Sequence, residues 1–184
     1  MTDAKQFEAL VRDCQDMVYS TAMRLVASEA EAEDISQEVF LRAFERFETL
    51  KGDPRAAGWL KTVAINLSLN HLSRYRARWS FFSELFHRDA AGGESEIEYA
   101  AMDDVEADMA VSERRTMVEQ ALRQLPSSQR VPLALFYLEG MKYEEIAAKL
   151  GVSLGKVKTN IFRGRAALRK RLEPRWRQEW RAGA

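Results

Sequence analysis

Lys142-Tyr143-Glu144-Glu145-Ile146-Ala147-Ala148-Lys149-Leu150-Gly151-Val152-Ser153-Leu154-Gly155-Lys156-Val157-Lys158-Thr159-Asn160-Ile161-Phe162-Arg163-Gly164-Arg165 decides the fold. It reads as two helices joined by a tight turn. Gly151 suits the left-handed position after the first helix, and Ser153 suits the N-cap of the second. At ~100° per residue, Val157, Ile161, Gly164, Leu168 and Leu172 share an inward side of the second helix. Gly155, Thr159, Phe162 and Ala166 face the other way, flanked by Lys156, Lys158, Arg163 and Arg169. Small, hydroxyl, aromatic and cationic groups turned away from a core suit entry into a DNA groove. Lys156 lies in the first turn, where the helix dipole disfavours a cation and a nearby phosphate would offset that. The plainer alternative is a helical hairpin with a solvated basic face.

The 184 residues suffice for one domain or two small ones, and their formal charge is zero. That zero conceals segregation. Residues 1–80 carry 11 Lys and Arg against 12 Asp and Glu, residues 81–115 carry 3 against 10, and residues 116–184 carry 14 against 6. A basic end beside an acidic stretch implies a nucleic-acid surface with a polyanion-like neighbour. The single cysteine, Cys14, excludes an internal disulfide and fits a reducing compartment. It falls on an apolar helical stripe, as a buried structural thiol would. No stretch reaches the ~20 apolar residues of a membrane span, and the N-terminus lacks a signal peptide's apolar core. A cytoplasmic location is expected.

The pattern predicts an all-α protein. Phe7, Leu10, Val11, Cys14, Met17, Val18, Thr21, Ala22, Leu25 and Val26 mark a first helix. Ser28 and Glu31 form a capping-box pair for a second, running to about Leu50, with Ile35, Val39, Phe40, Ala43, Phe44 and Phe47 inward. Lys51-Gly52-Asp53-Pro54 reads as a loop, Asp53 capping a third helix and Pro54 opening it. That helix extends to about Arg78 and buries Leu60, Val63, Ala64 and Leu67. Residues 83–110 contain Ala90-Ala91-Gly92-Gly93 and seven acidic residues from Glu94 to Asp108, the composition of a flexible, partly disordered acidic linker. A second bundle follows. One helix is expected over about Val111–Leu125 and another over about Gln129–Leu138, where Pro132 is tolerated near the first turn. The organisation is therefore two small helical domains, 1–82 and 111–184, joined by the linker 83–110.

Helix three places Trp59, Thr62, Asn66, Asn70 and Ser73 on a face beside its apolar stripe. Arg74, Arg76 and Arg78 follow, with Tyr75 and Trp79 between them. Amides can bond base edges, aromatics can stack on exposed bases, and arginines can hold phosphates. Alone, this face reads more simply as a polar surface with a snorkelling basic end. A second DNA-directed helix in the same chain shifts the balance toward nucleic acid. Trp176 and Trp180 among Arg175, Arg177 and Arg181 fit the closure of a small core and receive no function. His71, His87 and Cys14 show no ligand or nucleophile spacing, so an enzyme, a metal site or a cofactor is not expected.

Four motifs in order resemble the small extracytoplasmic-function (ECF) group of bacterial RNA polymerase sigma factors. They are Ala32-Glu33-Asp34-Ile35-Ser36-Gln37-Glu38-Val39-Phe40, Gly58-Trp59-Leu60-Lys61-Thr62-Val63-Ala64-Ile65-Asn66, Leu125-Pro126, and Val152-Ser153-Leu154-Gly155-Lys156-Val157-Lys158. The resemblance implies a region-2-like domain, a linker threaded near the RNA exit path, and a region-4-like helix-turn-helix domain. It implies core-polymerase contact, on clamp and flap, with the clamp docked by Asp34, Ile35, Ser36, Gln37, Glu38 and Phe40. It implies −10 contact by Lys51, Gly52 and Asp53, which match the loop that receives a flipped base, and by Trp59, Asn66, Asn70, Arg74, Arg76 and Arg78. It implies −35 contact by Gly155, Lys156, Lys158, Thr159, Phe162 and Arg163. Partners expected on this basis are core polymerase, promoter DNA and an anti-sigma protein. The expected function is an alternative sigma factor that directs promoter recognition and initiation. A sigma mimic that sequesters an anti-sigma without binding DNA is the alternative, against which Lys158, Arg163 and Arg169 argue. A plain duplex-binding repressor would leave the Asp34–Phe40 and Asn66–Asn70 surfaces without a purpose.

Overall fold

A computed structural model describes the backbone over residues 3–83 and 108–182 and the side chains over 3–74 and 114–173. Among these residues there are eight helices and no strand. They are α1 (Asp3–Val26), α2 (Glu29–Glu45), α3 (Phe47–Leu50), α4 (Ala56–Ser83), α5 (Asp108–Arg123), α6 (Ser127–Tyr137), α7 (Tyr143–Leu150) and α8 (Leu154–Ala182). Most of the expected linker, including Gly92-Gly93 and His87, lies outside the described residues, as do the side chains of Tyr75, Trp79, Trp176 and Trp180.

The first core is made where α1, α2 and α4 meet. Val18, Ala22, Ala32, Val39, Ala43, Leu60 and Ala64 are fully buried there, and the alanines let the helices approach closely. Cys14 is buried in the same cluster, and burial, with Asp13 adding, pushes its thiol pKa up. A second core joins Leu125, Leu135, Ile146, Val157 and Ile161 from α5 to α8. Gly164 sets the α6–α8 approach, because a Cβ there would lie 3.3 Å from the Gln129 carbonyl oxygen and 3.4 Å from Leu133.

Several local expectations are corrected. Ser28 Oγ does accept the Glu31 N–H at 3.5 Å, but the Glu31 carboxylate turns to His71, 3.1 Å from its Nε2, rather than back to Ser28. The second helix breaks at Arg46, so α2 and α3 are separate. Phe44 is exposed rather than inward, because the inward row is Ile35, Val39 and Ala43 and the next residue falls ~100° away. Its ring is covered only from the side by Phe7, centroids 5.2 Å apart and nearly perpendicular.

Asp53 caps a turn and not the helix. Its Oδ1 accepts the Arg55 N–H at 2.8 Å, its carbonyl takes the Ala56 N–H at 3.0 Å, and α4 begins only at Ala56. Pro54 therefore precedes the helix instead of opening it. Helix α6 starts at Ser127, earlier than expected, which puts Pro132 beyond the first turn. The missing Pro132 N–H leaves the Ser128 carbonyl without its helical bond, while Val131, Pro132 and Leu133 all gain burial.

The two cores also touch. Leu25 of α1 and Ile65 of α4 are buried among α5–α8 residues, and Leu72 packs against both clusters. Arg130 of α6 is itself buried. Its guanidinium donates to the Leu125 carbonyl at 2.7 Å within its own half, and to Leu25 at 3.1 Å and Val26 at 3.2 Å across the junction. Those two carbonyls belong to the end of α1, where the last helical oxygens lack internal partners. Desolvation lowers the Arg130 pKa, opposed by the Glu31 charge, and the carbonyls replace the lost water.

Candidate nucleic-acid and polymerase interfaces

The turn between α7 and α8 is fixed by its own backbone. Gly151 has φ 63° and ψ 37°, left-handed geometry that suits glycine. The Val152 N–H bonds the Ala147 carbonyl at 3.1 Å and the Gly151 N–H bonds Ala148 at 3.4 Å, the paired closure of a Schellman motif. The Glu145 carboxylate accepts the Lys142 N–H at 2.7 Å at the start of α7, and Ser153 Oγ accepts the Lys156 N–H at 3.3 Å at the start of α8. Both ends of the turn are thereby satisfied, so the angle between the helices is set by capping as well as packing.

Helix α8 turns Val157, Ile161, Gly164 and Leu172 inward, as their spacing predicts. Gly155, Lys156, Lys158, Phe162, Arg163 and Ala166 are exposed, and Thr159 is half-buried. Phe162 keeps 50% of its surface open, a large apolar ring with no core to fill.

On α2, Asp34 and Gln37 are exposed, while Glu38 and Phe40 are half-buried. Ser36 Oγ donates to the Ala32 carbonyl at 2.6 Å, and Glu38 accepts from Arg42 at 2.8 Å. Ile35 sits inside the first core, behind this surface rather than on it. Sequence reasoning missed Leu41 and Phe44, which are 61% and 63% exposed on the same helix. The signal was available in the run Val39-Phe40-Leu41 with Phe44, too many apolar residues for one inward stripe.

The third surface follows the loop and α4. Gly52 has φ 75° and is exposed at the loop tip. Lys51 Nζ lies 2.6 Å from Glu48 and 3.5 Å from Asp3, and the Glu48 hydrogen bond holds its pKa up. The Arg55 side chain and N–H hold the Asp53 carboxyl below its usual value. Trp59 is half-buried in a shallow groove between α2 and α4, with the Arg46 guanidinium 6.0 Å from its ring centroid. Asn66, Asn70 and Arg74 are exposed. Thr62 and Ser73 turn their hydroxyls to the Gly58 and Asn70 carbonyls of their own helix. The Arg76 and Arg78 side chains lie outside the described residues.

Asn66 Oδ1 accepts a hydrogen bond from Lys149 Nζ at 2.7 Å, so the α4 face is bridged to α7. Nothing local in the sequence signals this pairing. Among the described residues no group of three or more His, Cys, Asp or Glu could hold a metal, and no helix is long and apolar enough to cross a membrane.

Two helical halves, one a three-helix core and the other carrying a helix-turn-helix with an outward basic-aromatic face, define a class of transcription proteins. The profile of sigma-70 region 2 matches residues 10–78, and that of sigma-70 region 4 matches residues 115–168. The chain is 33% identical over 176 residues to the RNA polymerase sigma-H factor of Pseudomonas aeruginosa, covering 96% of this chain and 91% of that one. It is 31% identical to the ECF RNA polymerase sigma-E factor of Escherichia coli (strain K12) over 94% of this chain and 89% of the other. It is 30% identical to the ECF RNA polymerase sigma factor SigW of Bacillus subtilis over 92% and 90% respectively. The chain belongs to the ECF group of sigma-70 RNA polymerase sigma factors. Its fold is similar to that of the sigma factor RpoE solved in complex with the anti-sigma factor NepR from Bartonella quintana. There the TM-score is 0.50 at 21% identity, over 92% of this chain and 98% of that one.

Proposed function

We propose that the three surfaces divide the work of an alternative sigma factor. Asp34, Gln37 and Glu38, with Phe40 and the neighbouring Leu41, dock core polymerase, Ile35 supporting them from within. Lys158, Thr159, Phe162 and Arg163, with Gly155 and Lys156 at the helix entry, read the −35 duplex in the major groove. Lys51, Gly52, Asp53, Trp59, Asn66, Asn70 and Arg74, continued by Arg76 and Arg78, capture the −10 strand. Extruding a base costs roughly a few kcal/mol, offset by contacts to the captured base. The domain division 1–82, 83–110 and 111–184 gives each element its own reader, with effective concentration joining the two. An anti-sigma protein is the regulator expected of such a factor, and the cytoplasm is where its polymerase works. None of these roles is catalytic.

The carrying observation is the outward face of α8, where exposed Phe162 lies among exposed Lys158 and Arg163 opposite a fully buried Val157. In vitro transcription with core polymerase on a promoter library tests the reading. Run-off product that disappears with Lys158→Glu supports it. Product unchanged by Lys158→Ala plus Arg163→Ala would count against the −35 role. No product at all, with tight capture of an anti-sigma, would favour the sequestering alternative.

A further inference from the structure

Helix α8 continues well past the residues given to the −35 groove. Its described side chains, 154–173, carry seven Lys and Arg against one acid, Glu173. A helix face that merely meets water intersperses both signs, because like charges at i, i+4 repel. This helix leaves Arg165 and Arg169 four residues apart and both exposed. Arg24, Arg42, Arg55 and Arg115 each lie against a carboxylate. Among the described residues no such partner meets Arg165 or Arg169.

At ~100° per residue, Lys158, Phe162, Arg165 and Arg169 fall within about 60° of one another, a single stripe along the flank of the outward face. Arg171 falls away from that stripe, and its guanidinium turns to the Ala167 and Gln124 carbonyls at 3.1 and 3.5 Å. From Lys158 to Arg169 the helix rises about 16 Å at ~1.5 Å per residue, more than the ~12 Å width of a major groove. A helix whose first turns read bases therefore carries Arg165 and Arg169 to the rim of the groove, where the phosphates run. The same stretch is held from below. Leu168 packs on the second core, Leu172 is buried, and Gly164 lets α8 close on α6.

We propose that Arg165 and Arg169 grip the sugar-phosphate backbone beside the −35 element and fix the register at which Lys158, Phe162 and Arg163 meet the bases. The inference rests on the assignment of α8 to the −35 duplex. Phosphates carry no sequence information, so the pair adds affinity and placement but no base preference. One helix is thereby divided along its length, with readers in its first turns and a backbone clamp in the turns that follow. Each phosphate neutralised releases condensed counterions, which makes the clamp visible as a salt dependence.

Fluorescence anisotropy of the full chain over a salt series tests this on two labelled duplexes. One carries a −35 element from a promoter recovered in the run-off library, and the other carries it scrambled. Arg165→Gln plus Arg169→Gln should make the slope of log affinity against log salt shallower by about 1.8, about 0.9 for each phosphate contact. The change should appear on both duplexes, so the ratio of their affinities stays within about twofold of wild type. Arg165→Lys plus Arg169→Lys keeps the charges and should keep the slope. Arg171→Gln, the same loss of charge off the stripe, should leave the slope unchanged. Arg163→Ala should instead lower the affinity ratio about tenfold. A double glutamine variant with native ellipticity and the wild-type slope would overturn the proposal. So would an equal loss of slope in Arg171→Gln, which would mean general charge and not contact, or a lysine pair that fails to restore the slope. An affinity ratio that collapses in the double glutamine variant would make the two arginines base readers, and overturn it as well. A library that yields no run-off product would strike the assigned function, while the slopes on the scrambled duplex would still judge the clamp.

Discussion

The α8 face and the α4 face are both exposed, yet they differ in readiness. Lys158, Phe162 and Arg163 stand open on a helix whose entry is fixed by Ser153 and Gly151. On the other face, Lys51 is engaged by Glu48 and Asp3, Asp53 by Arg55, and Asn66 by Lys149. A duplex is a rigid target that a preformed helix can meet directly. A melted strand arrives late and needs partners that exchange one bond for another. On the proposed assignment of α8 to duplex and α4 to melted strand, docking is governed by preorganisation and capture by release.

The largest effect expected on this contrast comes from the open face. Lys158→Glu with Arg163→Glu should weaken −35 duplex binding by roughly 3 kcal/mol, about a hundredfold, measured by fluorescence anisotropy. A loss below threefold would show that this face is not the reader. Next is the support behind it. Gly164→Val inserts atoms where a Cβ already meets Gln129 at 3.3 Å, and should cost about 2 kcal/mol of stability. Thermal melting that is unchanged would mean that α6 and α8 separate easily.

Asn66→Ala should then reduce open-complex formation by about 1 kcal/mol while leaving −35 duplex binding untouched. Equal loss in both assays would erase the distinction between the faces. The smallest effect is a pH response at the junction. Burial raises the Glu119 pKa, but hydrogen bonds and charge from Arg24 and Arg115 outweigh it, so the folded value lies below the ordinary 4.5. Its contribution is whole above that ordinary value and disappears as pH falls through the lowered one. Thermal stability should therefore fall on acidification below about pH 4.5, and less so in Glu119→Gln.

Local chemistry explains what the sequence could disclose. Gly151, Ser153 and the Val157–Ile161–Gly164 row state the helix-turn-helix because caps and periodicity act within a few residues. Boundaries were less legible: Asp53 and Pro54 serve a turn, Pro132 lies deeper in α6 than expected, α2 breaks at Arg46, and Phe44 faces solvent because it falls off the Ile35–Val39–Ala43 row. The junction was not legible at all. Arg130 meets Leu25 across 105 residues of chain and Lys149 meets Asn66 across 83, separations that no periodic pattern encodes. The candidate surfaces were chosen by residue type and motif order, which cannot tell an unoccupied amide from one already engaged.

Arg130 grips Leu25 and Val26 through a single flat fork whose donors share one orientation. A shift of roughly an ångström strains both bonds together, since hydrogen bonds beyond about 3.5 Å contribute little. The Arg130 grip on the end of α1 should therefore hold whole or be lost whole, instead of yielding by degrees.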